Sequence, residues 1–228
     1  MAAGMIGERW RWLVVAFLTG CLIIGLAREA LADDATLPGV AANSVEPAAI
    51  ADHRIRSLSG LDAVAGTFEQ HIFDHHGNEV AFSRGDFAVL RPHFLRWAVR
   101  EPGEQLLVSD GEFLWQYDLD LETLYRQPIT DDQTSPLRLL LATKASLAED
   151  YAITTTEHGL TLQPKAESPV FQQVTLRFDR DILTGMALLD NLGQRIEVDL
   201  LIDPERMPSA ADFRFDVPPG VDIVQRGS

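Results

Sequence analysis

Apolar residues change their spacing along the chain, and these changes mark the predicted elements. Residues 33–47 show no apolar periodicity and contain prolines and a glycine, which is typical of an irregular leader. From Ala48, apolar residues recur at steps of three and four, which predicts an amphipathic helix with one apolar side to be covered. Beyond Gly66 the period falls to two, the spacing of β-strands. The apolar positions of the predicted helix are Ile55, Leu58, Leu61 and Ala65.

Strand-like alternation continues over most of the remaining chain. Asp74–Asn78 and Asp110-Gly111 carry tight-turn residues, so each is predicted to join two strands of a hairpin. Residues 137–141, with Ser135 as a cap and Pro136 at the start, form a second predicted helix. The fold class is therefore mostly β with helices (α+β), with one curved antiparallel sheet of about ten or eleven strands. The strands are predicted at 68–72, 82–89, 94–100, 105–109, 112–118, near Tyr151, and at 159–163, 170–178, 185–189, 194–200 and 213–217.

The N-terminus has the three parts of an export signal. Arg9 and Arg11 precede an apolar run at residues 13–27, and Ala30-Leu31-Ala32 supplies the small residues of a cleavage site. The apolar run is short for a membrane span, so we expect cleavage after Ala32 and export of the remainder. The expected organisation is a signal peptide at 1–32, a flexible leader at 33–47 and a single domain at 48–228.

A second interpretation of the N-terminus stays open. Leu18-Thr19-Gly20-Cys21 resembles the sequence at which bacterial lipoproteins are cut and acylated on cysteine. Cleavage there would leave Leu22-Ile23-Ile24 exposed directly after the anchor, and the three-part signal pattern is more complete at Ala32. The soluble form is therefore preferred over the acylated form.

Composition excludes several classes of protein. The 228 residues have 46% hydrophobic and 23% charged content, which is the balance of one packed domain. The formal net charge of -15 would repel nucleic acid and anionic membrane surfaces. Cys21 is the only cysteine, so no disulfide framework is possible in the exported part.

Catalytic and metal-binding motifs are missing from the sequence. There is no Gly-x-Ser-x-Gly elbow, no phosphate-binding glycine loop and no His-Glu-x-x-His helix. Asp74-His75-His76 has metal-ligand chemistry but lies in a predicted turn with no third ligand nearby in sequence. We therefore expect exposed turn histidines, no metal, no cofactor and no enzymatic activity.

A series of short motifs resembles the LolA family of periplasmic carriers of outer-membrane lipoproteins. The motifs occur in that family's order and approximate spacing over nearly all of residues 55–222. The combination is specific although each motif is short. The motifs are Phe68-Glu69-Gln70, Gly85-Asp86, Leu90-Arg91-Pro92, Arg96-Trp97, Glu101-Pro102, Leu107 to Gly111, Leu114 to Asp118, Pro136-Leu137, Leu162 to Lys165, Asp190 to Gln194 and Phe213 to Asp222.

The resemblance implies an incompletely closed antiparallel β-barrel whose short helices form a lid over an apolar interior. Such a protein binds the acyl chains of lipoproteins, without enzymatic activity or a cofactor. By the same resemblance we expect a monomeric periplasmic chaperone. It would receive acylated lipoproteins from an inner-membrane release transporter and pass them to an outer-membrane receptor, without binding nucleic acid.

The resemblance also assigns roles to individual residues. Arg91 matches the family arginine that hydrogen-bonds lid carbonyls and keeps the empty interior closed, a role that suits the several donors of a guanidinium. Phenylalanine is usual in the family where Leu95 stands, and this chain has Phe94 one residue earlier, so Leu95 lines the interior or the register changes locally. The expected lining residues are Leu58, Leu61 and Val64 on the first helix, Leu95, Trp97 and Met186 on strands, and Leu139 and Leu140 on the second helix.

Three other functions stay open at this point. A membrane-anchored receptor of the related LolB type would share the architecture but be acylated at Cys21. A lipid-sensing regulatory domain would need an additional partner-binding module, for which this length leaves little room. A hydrolase would need catalytic residues that come together only in the fold.

Overall fold

The computed structural model describes residues 47–59, 62–129, 139–142, 144–166, 169, 171–221 and 223–225. Within these ranges two α-helices, α1 (Pro47–Ser59) and α2 (Lys144–Asp150), accompany twelve strands. A 3₁₀ helix, Ala210–Phe213, precedes the last strand. The strands are β1 (Ala63–Phe73), β2 (Glu79–Leu90), β3 (Phe94–Glu101), β4 (Gln105–Asp110), β5 (Phe113–Asp118), β6 (Thr123–Pro128), β7 (Tyr151–Thr155), β8 (Gly159–Pro164), β9 (Phe171–Asp179), β10 (Ile182–Asp190), β11 (Arg195–Ile202) and β12 (Ile223–Gln225).

All twelve strands belong to one sheet, in the order β12-β6-β5-β4-β3-β2-β1-β11-β10-β9-β8-β7. Neighbouring strands are antiparallel except β12 and β6, which pair in parallel. The order begins at β12 and ends at β7, so the sheet is not closed. This confirms the predicted mostly β fold class, with twelve strands in the described residues where ten or eleven were expected.

The sheet curves around one apolar interior. Leu114 of β5 and Leu160 of β8 lie far apart in the strand order and belong to the same buried cluster, which extends over one face of the curved sheet. On β1, Val64, Phe68 and Ile72 point to this interior because alternate residues of a strand share a face. We call this cluster, which spans the concave face of the sheet, the interior cluster.

The lid covers the concave face, and we define it as α1 together with the roof segment, residues 139–142. Ile55 and Leu58 of α1 and Leu139 and Leu140 of the roof segment are buried in the interior cluster. Leu147 of α2 packs beside them. The apolar side of α1 is therefore covered by the sheet, as its three- and four-residue spacing requires.

The convex face carries two smaller apolar clusters. Phe213 of the 3₁₀ helix is fully buried against Ala65 and Ala88, whose small side chains leave room for its ring. A second cluster centres on Val108 and Trp115. The two faces of the sheet are therefore both partly covered, by different parts of the chain.

The first helix is shorter than predicted. It ends at Ser59, and β1 already begins at Ala63, where it pairs with Leu90 of β2. Ala65 and Val64 therefore lie on a strand and not on the helix, and Ala65 faces away from the interior. Ala65 lies four positions after Leu61, so it matched the helical spacing by coincidence. A small residue at the start of a strand says little about whether the spacing is that of a helix or of a strand.

Predictions for the later segments were partly wrong. Residues 213–217 are not a strand, because Phe213 ends a 3₁₀ helix that packs on the convex face. Of the second predicted helix, residues 137 and 138 lie outside the described residues, as do Ser135 and Pro136, and Leu139 and Leu140 form a single 3₁₀ turn. The strands β6 and β12 and the helix α2 were not predicted.

Lid and apolar interior as the candidate binding site

Arg91 ties the sheet to both parts of the lid. Its Nη1 donates to the carbonyl oxygen of Ala142 at 2.6 Å, and its Nη2 donates to those of Leu58 at 2.7 Å and Leu140 at 2.9 Å. Leu58 lies in the last turn of α1, where backbone carbonyls have no helical partner. A cation at a helix C-terminus also interacts favourably with the helix dipole.

The position of Arg91 follows from the local sequence. β2 ends at Leu90 and Pro92 cannot donate to a strand ladder, so the chain leaves the sheet at Arg91, next to the lid. Its backbone N–H donates to the carbonyl of Asp62 at 2.8 Å. Burial of the guanidinium lowers the pKa of Arg91, and the nearby negative charge of Asp62 opposes that shift.

A second arginine anchors α1 to the turn between β7 and β8. Arg54 Nη1 donates to the carbonyls of Thr156 and Gly159, both at 2.8 Å, and Nη2 donates to that of Glu157 at 2.8 Å. His53, one residue earlier on α1, pairs with Asp181 at 2.8 Å. These anchors were not predicted from the sequence, because the partners lie more than 100 residues away in the chain and no motif marks them.

Aromatic stacking organises the interior beneath the lid. The rings of Trp97 and Phe68 stack with centroids 3.8 Å apart, although β2 separates their strands. At the level of Phe68, β2 carries Gly85, which has no side chain to intervene. A Cβ on Gly85 would also collide with the carbonyl of Ala98 in β3, so this position requires glycine.

The pairing of β2 with β3 decides whether Leu95 lines the interior or the register changes locally at Phe94. Phe94 pairs with Leu90 and Leu95 pairs with Val89 in an unbroken register. Leu95 is buried in the interior cluster, whereas Phe94 packs on the convex face against Phe213, with ring centroids 5.6 Å apart. The register does not change locally, and a leucine occupies the interior position.

Three polar atoms lie in the apolar interior without partners. Within the described residues, Gln70 Oε1, Ser83 Oγ and Trp97 Nε1 are buried and have no hydrogen-bond partner. Gln70 and Ser83 lie directly opposite each other on β1 and β2. These side chains alternate with interior residues of the same strands, so they face the interior.

Residues 59–216 match the family described as "Outer membrane lipoprotein carrier protein LolA". The chain belongs to this family. The outer-membrane lipoprotein carrier protein of Pseudomonas aeruginosa strain UCBPP-PA14 is 34% identical over 183 residues, covering 75% of this chain and 87% of that protein. That of Azotobacter vinelandii is 31% identical over 192 residues, covering 80% and 93%. A solved LolA superfamily protein from Nitrosomonas europaea has 14% identity and a TM-score of 0.47, covering 75% of this chain and 99% of that one.

Membership of the LolA family confirms the resemblance stated from the sequence motifs. It also confirms the lipoprotein-carrier function and favours it over the anchored receptor and the lipid sensor. LolA proteins are carriers and not enzymes, so the non-enzymatic prediction holds as well.

Most of the residues expected to line the LolA interior come together in the structure. All of the described ones are buried members of the interior cluster, although Val64 contributes from β1 and not from α1. Leu61 lies outside the described residues. The residues brought together are Leu58, Val64, Leu95, Trp97, Leu139, Leu140 and Met186.

The two histidines of the β1–β2 turn lie at the surface of the protein. His75 and His76 are exposed, and Asp74 accepts hydrogen bonds from the backbone N–H groups of His76 and Asn78, both at 2.9 Å. Across the described ranges, no group of three or more His, Cys, Asp or Glu side chains is placed to hold a metal. No helix in those ranges is long and apolar enough to cross a membrane.

Proposed function

We propose that this LolA family member holds the acyl chains of lipoproteins in its apolar interior beneath the lid, and that Arg91 is the latch that closes the empty protein. The observation that supports this most strongly is the set of three hydrogen bonds from Arg91 to carbonyls of α1 and the roof segment. The latch joins the sheet to elements whose apolar sides cover the interior cluster. Lifting the lid would expose that cluster to an entering chain.

Magnitudes favour a latch that cargo can open. A charge-assisted hydrogen bond contributes about 1.5–3 kcal/mol net of the water bonds it replaces, so three contribute about 5–9 kcal/mol. Burial of an acyl chain contributes about 0.8 kcal/mol per methylene, so about ten methylenes supply about 8 kcal/mol. One or two chains therefore suffice to displace the latch, and an empty lid recloses.

The lining residues are part of the same proposal. The acyl chains would contact side chains of the sheet and of the lid. Those of the sheet are Val64, Leu95, Trp97 and Met186, and those of the lid are Leu58, Leu139 and Leu140. Leu61, outside the described residues, belongs to the proposal by the family resemblance alone. Met186 has a flexible side chain that adapts to mobile acyl groups. The aliphatic and aromatic side chains here form an apolar surface without charge, which suits hydrocarbon and not a polar substrate.

The carrier is proposed to act as a soluble monomer of the periplasm. Export would follow cleavage after Ala32, leaving residues 33–47 as a leader before the domain that ends at residue 228. Cargo would come from an inner-membrane release transporter and go to an outer-membrane receptor. The net charge of -15 keeps such a carrier off anionic membrane surfaces between these partners.

Native mass spectrometry tests the cargo directly. The full chain would be expressed in a bacterium together with an acylated lipoprotein, purified from the periplasm without detergent and measured intact. We expect a population with the mass of the carrier plus one lipoprotein, absent when the lipoprotein's acylated cysteine is replaced by serine. A carrier that emerges empty in both cases would contradict the proposal.

The mature N-terminus tests the proposed export route. Peptide mass spectrometry of the purified protein should find Asp33 as the first residue. A diacylglyceryl-modified Cys21 would instead identify a membrane-anchored protein.

A further inference from the structure

Three polar side chains of the interior are buried without being satisfied. Gln70, Ser83 and Trp97 are each 1% exposed, and within the described residues Gln70 Oε1, Ser83 Oγ and Trp97 Nε1 have no hydrogen-bond partner. Each unpaired buried polar atom costs about 1–3 kcal/mol relative to a paired one. Folded proteins leave few such atoms unpaired, so three on one face are a reason to look for a ligand.

The three side chains form one contiguous patch. Gln70 of β1 and Ser83 of β2 are direct cross-strand partners, so their Cβ atoms lie about 5 Å apart. Phe68 is the next residue of β1 on the same face, and the ring of Trp97 stacks on it at 3.8 Å. The patch therefore runs from the Gln70 and Ser83 pair over Phe68 to the indole of Trp97.

Two other buried polar side chains, on Trp115 and Gln105, do have partners. The indole Nε1 of Trp115, on the convex face, donates to Asp110 Oδ2 at 2.6 Å. Gln105 Nε2 donates to Asp118 Oδ2 at 3.1 Å. Of the four buried side-chain atoms without a partner in the described residues, three belong to the interior patch and the fourth is Nε of Arg91.

We propose that Gln70, Ser83 and Trp97 form a polar subsite that hydrogen-bonds the carbonyl groups linking acyl chains to their carrier molecule. This inference rests on the proposed acyl-binding function and adds which part of the ligand the interior recognises. The indole N–H of Trp97 can only donate, and the hydroxyl of Ser83 can donate, so both suit an ester or amide carbonyl oxygen. Gln70 Oε1 accepts, which suits the N–H of an acyl amide.

The surroundings favour a neutral group over a charged one. The patch lies within the interior cluster of apolar side chains, where an unpaired carboxylate would be far more costly to bury than an ester. A free fatty acid is therefore a poorer occupant than an esterified or amidated chain. Lipoproteins and membrane lipids both carry such linkages, so the probes below separate these two sources.

Binding of matched ester and ether ligands tests the subsite. The probes are a dipalmitoylglyceryl cysteinyl peptide, its dialkyl ether counterpart of equal chain length, and a dipalmitoyl phospholipid. The wild type is expected to bind the ester peptide about tenfold more tightly than the ether, the effect of one or two neutral hydrogen bonds. The double variant Gln70→Met, Ser83→Ala loses the Ser83 donor and keeps that of Trp97, so this preference should fall about threefold, while binding of the ether is unchanged.

A stability measurement separates this role from a purely structural one. Because the two atoms are unpaired in the empty protein, their apolar replacements should leave its thermal midpoint unchanged or raise it. Thr67→Ala, which removes an exposed hydroxyl from the other face of β1, is the matched control and should keep the ester preference. A double variant that is less stable, or whose preference for the ester equals that of the wild type, would overturn the subsite.

The failures of the two proposals are distinguishable. A wild type that binds neither peptide would contradict the acyl-binding function itself, whereas equal binding of ester and ether would contradict only the polar subsite. If the wild type binds the phospholipid as tightly as the ester peptide, the subsite recognises acyl esters in general. If it binds the ester peptide more tightly than the phospholipid, the subsite recognises acylated cysteine.

Indole NMR signals provide a second readout with an internal control. The proton on Trp97 Nε1 should move downfield when the ester peptide binds and not when the ether binds. The corresponding proton of Trp115, already bonded to Asp110, should stay in place. Trp97→Phe and Trp115→Phe assign the two signals, and a Trp97 shift that is equal for both ligands would count against a carbonyl contact.

Discussion

Arg91 donates a hydrogen bond of 2.7 Å to the carbonyl oxygen of Leu58, in the last turn of α1. This bond joins the end of β2 to the C-terminus of the lid helix, and two further bonds join the same guanidinium to the roof segment. One side chain therefore holds two separate pieces of the lid against the sheet. Its loss should free both pieces at once.

Replacement of Arg91 by leucine should uncouple cargo binding from cargo release. The variant is expected to bind an acylated lipoprotein but to transfer it to the outer-membrane receptor about tenfold more slowly. The reason is that reclosure of the lid, which helps to expel the chains, loses at least about 1.4 kcal/mol of its driving force. A reconstituted transfer assay between purified proteins measures this rate.

The matched control for that variant is Arg84→Leu. Arg84 is an exposed arginine that pairs with Glu101 at 2.7 Å and does not contact the lid. Its replacement removes the same charge and should leave transfer unchanged. Normal transfer by Arg91→Leu would show that the arginine is not a latch.

Arg54→Ala should loosen the lid near the β7–β8 turn. The variant loses three hydrogen bonds to the carbonyls of Thr156, Glu157 and Gly159, so the amides of α1 should exchange with deuterium faster in the empty protein. The control is Arg56→Ala, two residues along the same helix, whose Nε donates only within the helix, to the carbonyl of Asp52. Equal exchange in the two variants would argue against Arg54 as an anchor.

Phe213→Ala should separate stability from cargo binding. Phe213 is fully buried on the convex face, so its truncation is expected to lower the free energy of unfolding by about 3 kcal/mol. Because this face does not line the interior, the affinity of the folded variant for an acylated peptide should match the wild type. Phe82→Ala, at a 37% exposed position, is the control with a small stability loss. A large affinity loss in Phe213→Ala would place part of the binding site on the convex face.

Acid should weaken the 3₁₀ helix that carries Phe213. Hydrogen bonds from the backbone N–H of Ser209 at 2.7 Å and from its hydroxyl at 2.9 Å lower the pKa of Asp212 below its ordinary value of 3.8. Because the pKa of Asp212 is lower in the folded protein than in the unfolded chain, its ionised carboxylate stabilises the fold. This contribution is fully present at pH values above the ordinary pKa of 3.8 and is lost as the pH falls through the lower, folded-state pKa. Asp212→Asn should therefore lower the thermal midpoint at neutral pH and match the wild type once the pH is below the folded-state pKa of Asp212. A difference that does not depend on pH would contradict this assignment.

The sequence predicted the strands best where alternation was strong and turns were well marked. Residues 105–109 and 112–118 flank Asp110-Gly111, and the observed β4 and β5 match them within one residue. Gly111 has a φ of 97°, which glycine adopts without strain, so the turn signal had a local physical cause. Such elements depend on neighbours close in sequence and can be predicted from them.

Other features depend on contacts between distant parts of the chain. Phe213 to Val217 alternates like a strand, but its first aromatic residue packs against the small side chains of Ala65 and Ala88, which lie 148 and 125 residues earlier. The carbonyl partners of Arg54 lie 102 to 105 residues away in the chain. Arg91 was found because the family resemblance supplied it, as it did Leu95, Trp97 and Met186. Of the lining residues on the first helix, helical spacing had already indicated Leu58 and Leu61.

The central claim is that acyl chains enter the concave face beneath the lid. Its most direct test is a lipoprotein whose acyl chains end in a photoreactive diazirine, bound to the carrier, illuminated and mapped by peptide mass spectrometry. Cross-links to interior residues such as Phe68, Trp97 and Met186 are expected. Cross-links confined to Trp115 and Phe215 on the convex face would contradict it.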